Sequence, residues 1–225
     1  FAHLHQRGKT GFPPRHAARR PDAGPSPDAC PGGVSGYRVT SMKDELRRWC
    51  NRFHALGLAP VYEGRSLGNL SFRLENPVNA FVITASALAL KENLPDDAFV
   101  TVYGVSDNDE HKILAAGGKP PSSESLLHFR VYERRQEIMA VFHGHSRDIL
   151  KAAESLKLPV TRTAEPHGSA ALAESVVEIL GEHDFIILRR HGFLSLGRSM
   201  NEAGERAVEM LNRSRETLKR ESREP

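Results

Sequence analysis

Two short apolar runs, each leading into histidine, set the strongest limit on what this chain can fold into. Ile138-Met139-Ala140-Val141-Phe142 runs directly into His143-Gly144-His145, and Phe185-Ile186-Ile187-Leu188 leads through two arginines to His191-Gly192. Apolar runs of this length read as buried strands. Side chains at i and i+2 of a strand share one face, so His143 and His145 stand side by side, about 6–7 Å apart at the backbone. Gly144 keeps the opposite face small. If the two strand ends meet, three neutral imidazoles converge. Three histidines with an open fourth position make a catalytic rather than a structural zinc-type site. Taken alone, an H-x-H triplet also describes a pair of hydrogen-bonded strand-end histidines, and its neighbours must decide.

Upstream lies Lys119-Pro120-Pro121-Ser122-Ser123-Glu124, followed by apolar residues at Leu126, Leu127, Val131 and Tyr132. The spacing predicts a helix over 123–135 with the serines at its N-terminus. Free backbone N–H groups and the dipole favour an anion there, and two hydroxyls add donors. Glu124, in the first turn, is placed to act as general acid/base or as a metal neighbour. Plain capping by the serines and a solvated Glu is the competing reading. Gly68-Asn69-Leu70-Ser71 reads as a loop entering a strand, and Thr84-Ala85-Ser86-Ala87 lies at the end of another. Small residues there let backbone N–H groups approach a phosphate; each is otherwise an ordinary turn or strand end.

Together, GNLSFRL (68–74), TASA (84–87), KPPSSESLLHFRVYERRQEIMAVFHGHS (119–146) and IILRRHGFLSLG (186–197) resemble the class II aldolase/adducin family, over roughly Met42 to Leu218. The resemblance implies a three-layer α/β/α fold in a homotetramer with sites between adjacent subunits. It implies a divalent ion, zinc above all, on His143, His145 and His191, with Glu124 as acid/base and metal neighbour. It implies that Asn69, Thr84, Ser86, Ser122 and Ser123 bind the phosphate of a small phosphorylated sugar. The implied reaction is aldol cleavage of a phosphorylated ketose through an enediolate. Dehydration of a sugar phosphate, as by methylthioribulose-1-phosphate dehydratase, uses the same enediolate. The 4-epimerase branch carries Asp where Glu124 stands, and a non-catalytic adducin-like scaffold has no use for three histidines and a glutamate. Two departures stand out. Ala87 replaces the family's usual Gly, and neither Ser146–Arg190 nor the tail after Arg198 holds the tyrosines that the family's sugar-phosphate aldolases carry.

The net charge of +3 does not point to nucleic acid, because residues 1–41 hold six Lys/Arg against two Asp/Glu and leave 25 basic and 26 acidic residues elsewhere. No basic stripe with interleaved aromatics occurs, and no apolar run is long enough to span a bilayer. Of two cysteines, Cys30 lies in a loop-like segment, so a structural disulfide is not expected and a reducing cytoplasm is the default. Residues 1–41, rich in Pro, Gly and Arg, read as a disordered or non-native extension, and 42–225 as a single domain. Ser41 with Asp44 suggests a capping box for a helix with Leu46, Trp49, Cys50, Phe53 and Leu56 on its apolar face. Strands are expected near 69–75, 79–84, 98–104, 111–115, 138–144, 184–190 and 193–196. Helices are expected near 146–157, 169–181 and 199–220. This order suggests a mixed, largely antiparallel sheet covered by helices. His128 shares a helix face with Glu124 but is expected to be packed. His167 is expected in a loop, and His54, His111 and His183 at the surface.

Overall fold

The computed structural model describes residues 36–223. Helix α1 (Gly36–Leu56) is followed by a small hairpin of β1 (Val61–Tyr62) and β2 (Arg65–Ser66). Seven strands then form the central sheet: β3 (Asn69–Arg73), β4 (Phe81–Thr84), β5 (Phe99–Ser106), β6 (Asp109–Ala116), β7 (Ala140–Gly144), β8 (Phe185–Leu188) and β9 (Gly192–Gly197). Their spatial order is β6-β5-β4-β3-β7-β9-β8. All pairings between these strands are antiparallel. The parallel component of the expected mixed sheet is confined, among the described residues, to the bridge between Val160 and Ile187. The expected hairpin near 98–115 is β5–β6, with register shifts near Val102 and Val105.

Strand alternation sorts side chains into two cores. Leu70 and Phe72 of β3, Ala140 and Phe142 of β7, and Phe185 and Ile187 of β8 face a layer of α1, α3 (Arg147–Ala152) and α5 (Met200–Glu221). Val141, Ile186 and Leu188 face the other layer, α2 (Ser125–Arg134) and α4 (Ala170–Leu180). The result is the expected three-layer α/β/α arrangement. On α1, Leu46, Trp49, Cys50 and Phe53 are buried at helical spacing, and Phe53 meets Phe142 edge-on at 5.5 Å. Each such side chain contributes about 1.5–3 kcal/mol by leaving water. Gly204 brings α5 close to α1: a Cβ there would lie 2.3 Å from the Trp49 ring. Helices α4 and α5 start on serine caps, with Ser169 Oγ accepting from Leu172 N and Ser199 Oγ from Glu202 N, both at 3.1 Å.

Two expectations need correction. The first helix begins at Gly36, not at Met42, and the Ser41–Asp44 capping box does not form. Thr40 Oγ1 donates to Gly36 O at 2.9 Å and Arg38 pairs with Glu75, so helix and ion pair run through the expected boundary. The rest of the proposed extension lies outside the described residues. The β1–β2 hairpin is not among the expected strands, because its two-residue strands carry no periodicity. Among the described residues no helix is long and apolar enough to cross a membrane.

Candidate active site

The site forms where β3, β7 and β9 end together. Register places Asn69 opposite His143 on one side, and Leu194 opposite His143 on the other. Gly68, at φ 77°, permits the approach: a Cβ there would lie 2.6 Å from His143 O. His145 follows the last residue of β7, its N–H donating to Leu58 O at 2.8 Å. His191 closes the tight β8–β9 turn, donating from its backbone to Leu188 O at 2.9 Å. These constraints bring the three imidazoles together, with ring centroids 4.7–5.0 Å apart and one nitrogen of each within 4.8 Å of the others.

Glu124 completes the cluster. It stands at the cap position of α2 but makes no capping bond. Its carboxylate turns inward, with Oε2 3.2 Å from His143 Nε2 and Oε1 3.3 Å from His191 Nε2. Asn69 Nδ2 donates to Oε2 at 2.7 Å. The solvated first-turn reading is thereby excluded: Glu124 is 5 % exposed.

The donor set fits a cation. His143 Nδ1 lies 2.9 Å from Phe193 O, and since a carbonyl only accepts, Nδ1 carries the proton and Nε2 is a bare lone pair. That lone pair has no hydrogen-bond partner, although a carboxylate oxygen lies 3.2 Å away. Two buried acceptors facing each other repel unless positive charge sits between them. Burial, reinforced by the neighbouring imidazoles, pushes His143 down to about 3 and His145 to about 2; burial also lowers His191. All three are therefore neutral near pH 7, the form that ligates metal.

Of the expected phosphate residues, Asn69 bonds the Glu124 carboxylate and Ser122 its backbone. Ala85 bridges Pro121, and Ser86 N–H donates to Pro120 O at 3.0 Å, which lays the Thr84–Ser86 segment along the loop before α2. Thr84 is fully buried, its Oγ1 accepting from Leu70 N at 3.4 Å. Ser122 Oγ accepts from Glu124 N at 3.3 Å. Ser123 is exposed, and Gly168 packs on its backbone. His128 is fully buried; its Nδ1 is 2.7 Å from Ser71 Oγ, so it belongs to the packing beneath the site. His167, His111 and His183 are exposed, and His54 is half-buried.

The family model for the "Class II Aldolase and Adducin N-terminal domain" matches residues 44–217. The chain belongs to the class II aldolase and adducin family. The match includes every residue of the cluster. An L-fuculose phosphate aldolase of Methanococcus maripaludis is 32 % identical over 151 residues, covering 60 % of this chain and 76 % of that one. A 5-methylthioribulose-1-phosphate/5-deoxyribulose-1-phosphate aldolase of Escherichia coli is 28 % identical over 170 residues, covering 69 % and 73 %. Among solved structures, a sugar-phosphate aldolase from Thermotoga maritima shares the fold with a TM-score of 0.69 at 19 % identity, covering 84 % of this chain and 98 % of that one.

Two features of this class II aldolase family member were not read from the sequence. A cavity of about 520 Å³ opens beside His145 and His191, bordered by Leu56, Pro60, Tyr62, Leu67, Arg147 and Arg215. Tyr62 reaches it from the unforeseen β1–β2 hairpin, so a tyrosine does stand near the histidines. Lys91, in the loop after β4, is 2 % exposed. Its position in Leu-Lys-Glu-Asn gave no apolar pattern that would mark it as buried. Ala87 has φ 55°, so it holds the left-handed conformation that suits the Gly it replaces.

Proposed function

We propose that this chain is a divalent-metal-dependent lyase that cleaves a small phosphorylated ketose into a phosphorylated ketone fragment and an aldehyde, through an enediolate. The observation that carries this reading is the packing of three imidazoles, with nitrogens within 4.8 Å of one another, against the Glu124 carboxylate. His143, His145 and His191 would hold the ion, with zinc matching the all-imidazole set. When bound, such an ion supplies Lewis-acid polarisation of the substrate carbonyl.

Glu124 moves the proton on and off the carbon next to that carbonyl. Asn69 holds the carboxylate in place through its 2.7 Å hydrogen bond and keeps a second amide hydrogen for the ligand. Ser122, Ser123, Thr84, Ser86 and Asn69 receive the phosphate. The cavity beside His145 and His191 takes the aldehyde fragment. A homotetramer belongs to the same proposal, supported by the exposed Val61 and Tyr62 at the cavity rim. So does a cytoplasmic setting, supported by Cys50, which is free and buried. A screen of ketose phosphates for release of dihydroxyacetone phosphate, with water loss followed in parallel and chelator as control, tests the reading. Water loss without carbon–carbon cleavage would make the protein a dehydratase, and activity unaffected by the chelator would end the metal mechanism.

A further inference from the structure

Three alternate residues of β3 reach α2 one after another, each through a buried polar contact. Asn69 Nδ2 donates to Glu124 Oε2 at 2.7 Å. Ser71 Oγ lies 2.7 Å from His128 Nδ1 and 2.7 Å from Tyr132 Oη. Arg73 Nη2 donates to Tyr132 O at 2.6 Å, with its guanidinium 4.6 Å from the centre of the Tyr132 ring. Residues 69, 71 and 73 share one face of the strand, and 124, 128 and 132 lie along one side of the helix. Two strand residues advance about 6.8 Å and four helix residues about 6.0 Å, so the two rows keep step. The result is a polar ladder of three rungs between sheet and helix, with Glu124 on the first.

The ladder stands in apolar surroundings. Ser71, His128 and Tyr132 are fully buried, and Phe81, Leu127, Val131 and Val141 belong to the same core layer. Apolar contacts are non-directional, whereas a hydrogen bond at 2.7 Å fixes both separation and angle. Among the described residues His128 Nε2 has no hydrogen-bond partner, so the Ser71 contact is the bond that orients the ring. His128 N in turn donates to Glu124 O at 3.3 Å, which ties the second rung to the backbone of the first. Neither Ser71, His128 nor Tyr132 is among the groups that hold the ion or the phosphate in the reading above.

A general base works only when its oxygen is within hydrogen-bond reach of the proton it takes, and a misplacement of about 1 Å can cost about a hundred-fold in rate. We propose that Ser71, His128 and Tyr132 are positioning residues for proton transfer: their hydrogen-bonded cluster sets where α2 stands against β3, and so where the Glu124 carboxylate sits beside His143 and His191. This assignment rests on the reading of Glu124 as the group that moves the proton.

The test is hydrogen exchange of dihydroxyacetone phosphate in D2O, on protein carrying its metal as purified. In this step the C–H bond beside the carbonyl breaks, the proton passes to Glu124, and a deuteron returns to the carbon. Ser71→Ala and His128→Leu should lower the exchange rate about ten- to a hundred-fold and leave KM and metal content near wild type. His128→Asn keeps a polar atom near the Nδ1 position and should recover most of that loss. In the Glu124→Gln background, measured at high enzyme concentration, Ser71→Ala should cost nothing further, because the group it positions is gone. If Ser71→Ala fails to fold, Tyr132→Phe, which removes only the hydroxyl, takes its place. Near-wild-type exchange in Ser71→Ala and His128→Leu would overturn the assignment and leave Glu124 in its role. The same fold-loss in the Glu124→Gln background, or no recovery in His128→Asn, would mean general damage to the fold and would overturn it as well. Exchange by Glu124→Gln at the wild-type rate, or none by the wild-type protein, would remove the proton-transfer reading itself and the assignment with it.

Discussion

Glu124→Gln is the substitution that isolates proton transfer from everything else the site does. The side chain is 5 % exposed and, among the described residues, its only hydrogen bond comes from Asn69 Nδ2 at 2.7 Å. The amide oxygen of Gln can accept that same bond, so the side chain keeps its position and loses only its charge and its capacity to take a proton. Loss of general acid/base help costs a factor of about 10² to 10⁴ in rate, or about 3–5 kcal/mol in the barrier. Asn69→Ala gives the comparison. It leaves the carboxylate but deletes a charge-assisted hydrogen bond worth about 1.5–3 kcal/mol. The expected loss in kcat is about ten-fold, because only part of that energy is differential between ground and transition states. Steady-state kinetics on a substrate from the ketose-phosphate screen, with metal content measured on the same samples, gives the answer. Near-normal kcat for Glu124→Gln would refute the reasoning, since another group would then be moving the proton. A loss matched by an equal loss of bound metal would assign Glu124 to metal retention instead.

Elemental analysis should find one divalent ion per chain, and His143→Ala or His191→Ala should lower the retained metal at least ten-fold, because each removes one of three nitrogens from a site with no spare imidazole among the described residues. Unchanged stoichiometry in both variants would remove them from the ligand set. His128 lies at about 3 through burial first and the neighbouring His143 second, below an unfolded value of about 6.5. The unfolded chain therefore binds the extra proton in that window, so this contribution is intact above about pH 6.5 and is lost as pH falls toward 3. In urea titrations across pH 4–7, His128→Asn should flatten the stability slope by up to about 1.4 kcal/mol per pH unit; an unaltered slope would show that His128 is not buried neutral. Ala87→Gly relieves a left-handed φ of 55° and should stabilise by about 0.5–1 kcal/mol, read as a rise in melting temperature; a fall would mean that the Ala87 methyl group is in use.

What the sequence disclosed followed from periodicity and punctuation. The apolar runs at 138–142 and 185–188 mark strands because Ala140–Phe142 and Phe185–Leu188 each face a core on one side of the sheet or the other. The serine caps at 169 and 199 marked helix starts to within a residue. The cluster of His143, His145, His191 and Glu124 was legible through the resemblance of the Ser-Ser-Glu, His-x-His and His-Gly segments to the class II aldolase family; strand spacing alone left open whether the two strand ends meet. Glu124's first hydrogen-bond partner was not legible, because Asn69 is 55 residues away and the pairing depends on the β3–β7 register. Lys91 and Tyr62 were missed for different reasons. A lysine in a polar loop carries no sign of burial until the loop's hydrogen bonds to Ser66, Asn51 and Arg47 are seen. A two-residue strand is too short to show alternation. The start of α1 was misplaced because a plausible N-cap serine lies inside a helix whose upstream turn is held by the Thr40–Gly36 bond and the Arg38–Glu75 pair.

The same register that builds the core also builds the site, and this couples stability to chemistry. β7 is flanked by β3 and β9, with Phe142 opposite Leu70 and Ser195, and His143 opposite Asn69 and Leu194. A one-residue slip of β7 would turn Phe142 out of the aromatic cluster with Trp49 and Phe53 and turn His143 into it. Either exchange buries an imidazole among aromatics and sets a phenyl ring beside the carboxylate. The apolar residues on both faces of β7 therefore fix the position of His143 to the residue, and the Nδ1–Phe193 O bond then fixes its rotation and tautomer. Only His145 and His191, beyond the ends of the ladder, depend on loops. They are also the two that border the open cavity. The half of the site built on the sheet ladder thus carries His143, and the half that borders the cavity proposed for the aldehyde is built on turns, where the hairpin bearing Tyr62 adds to it.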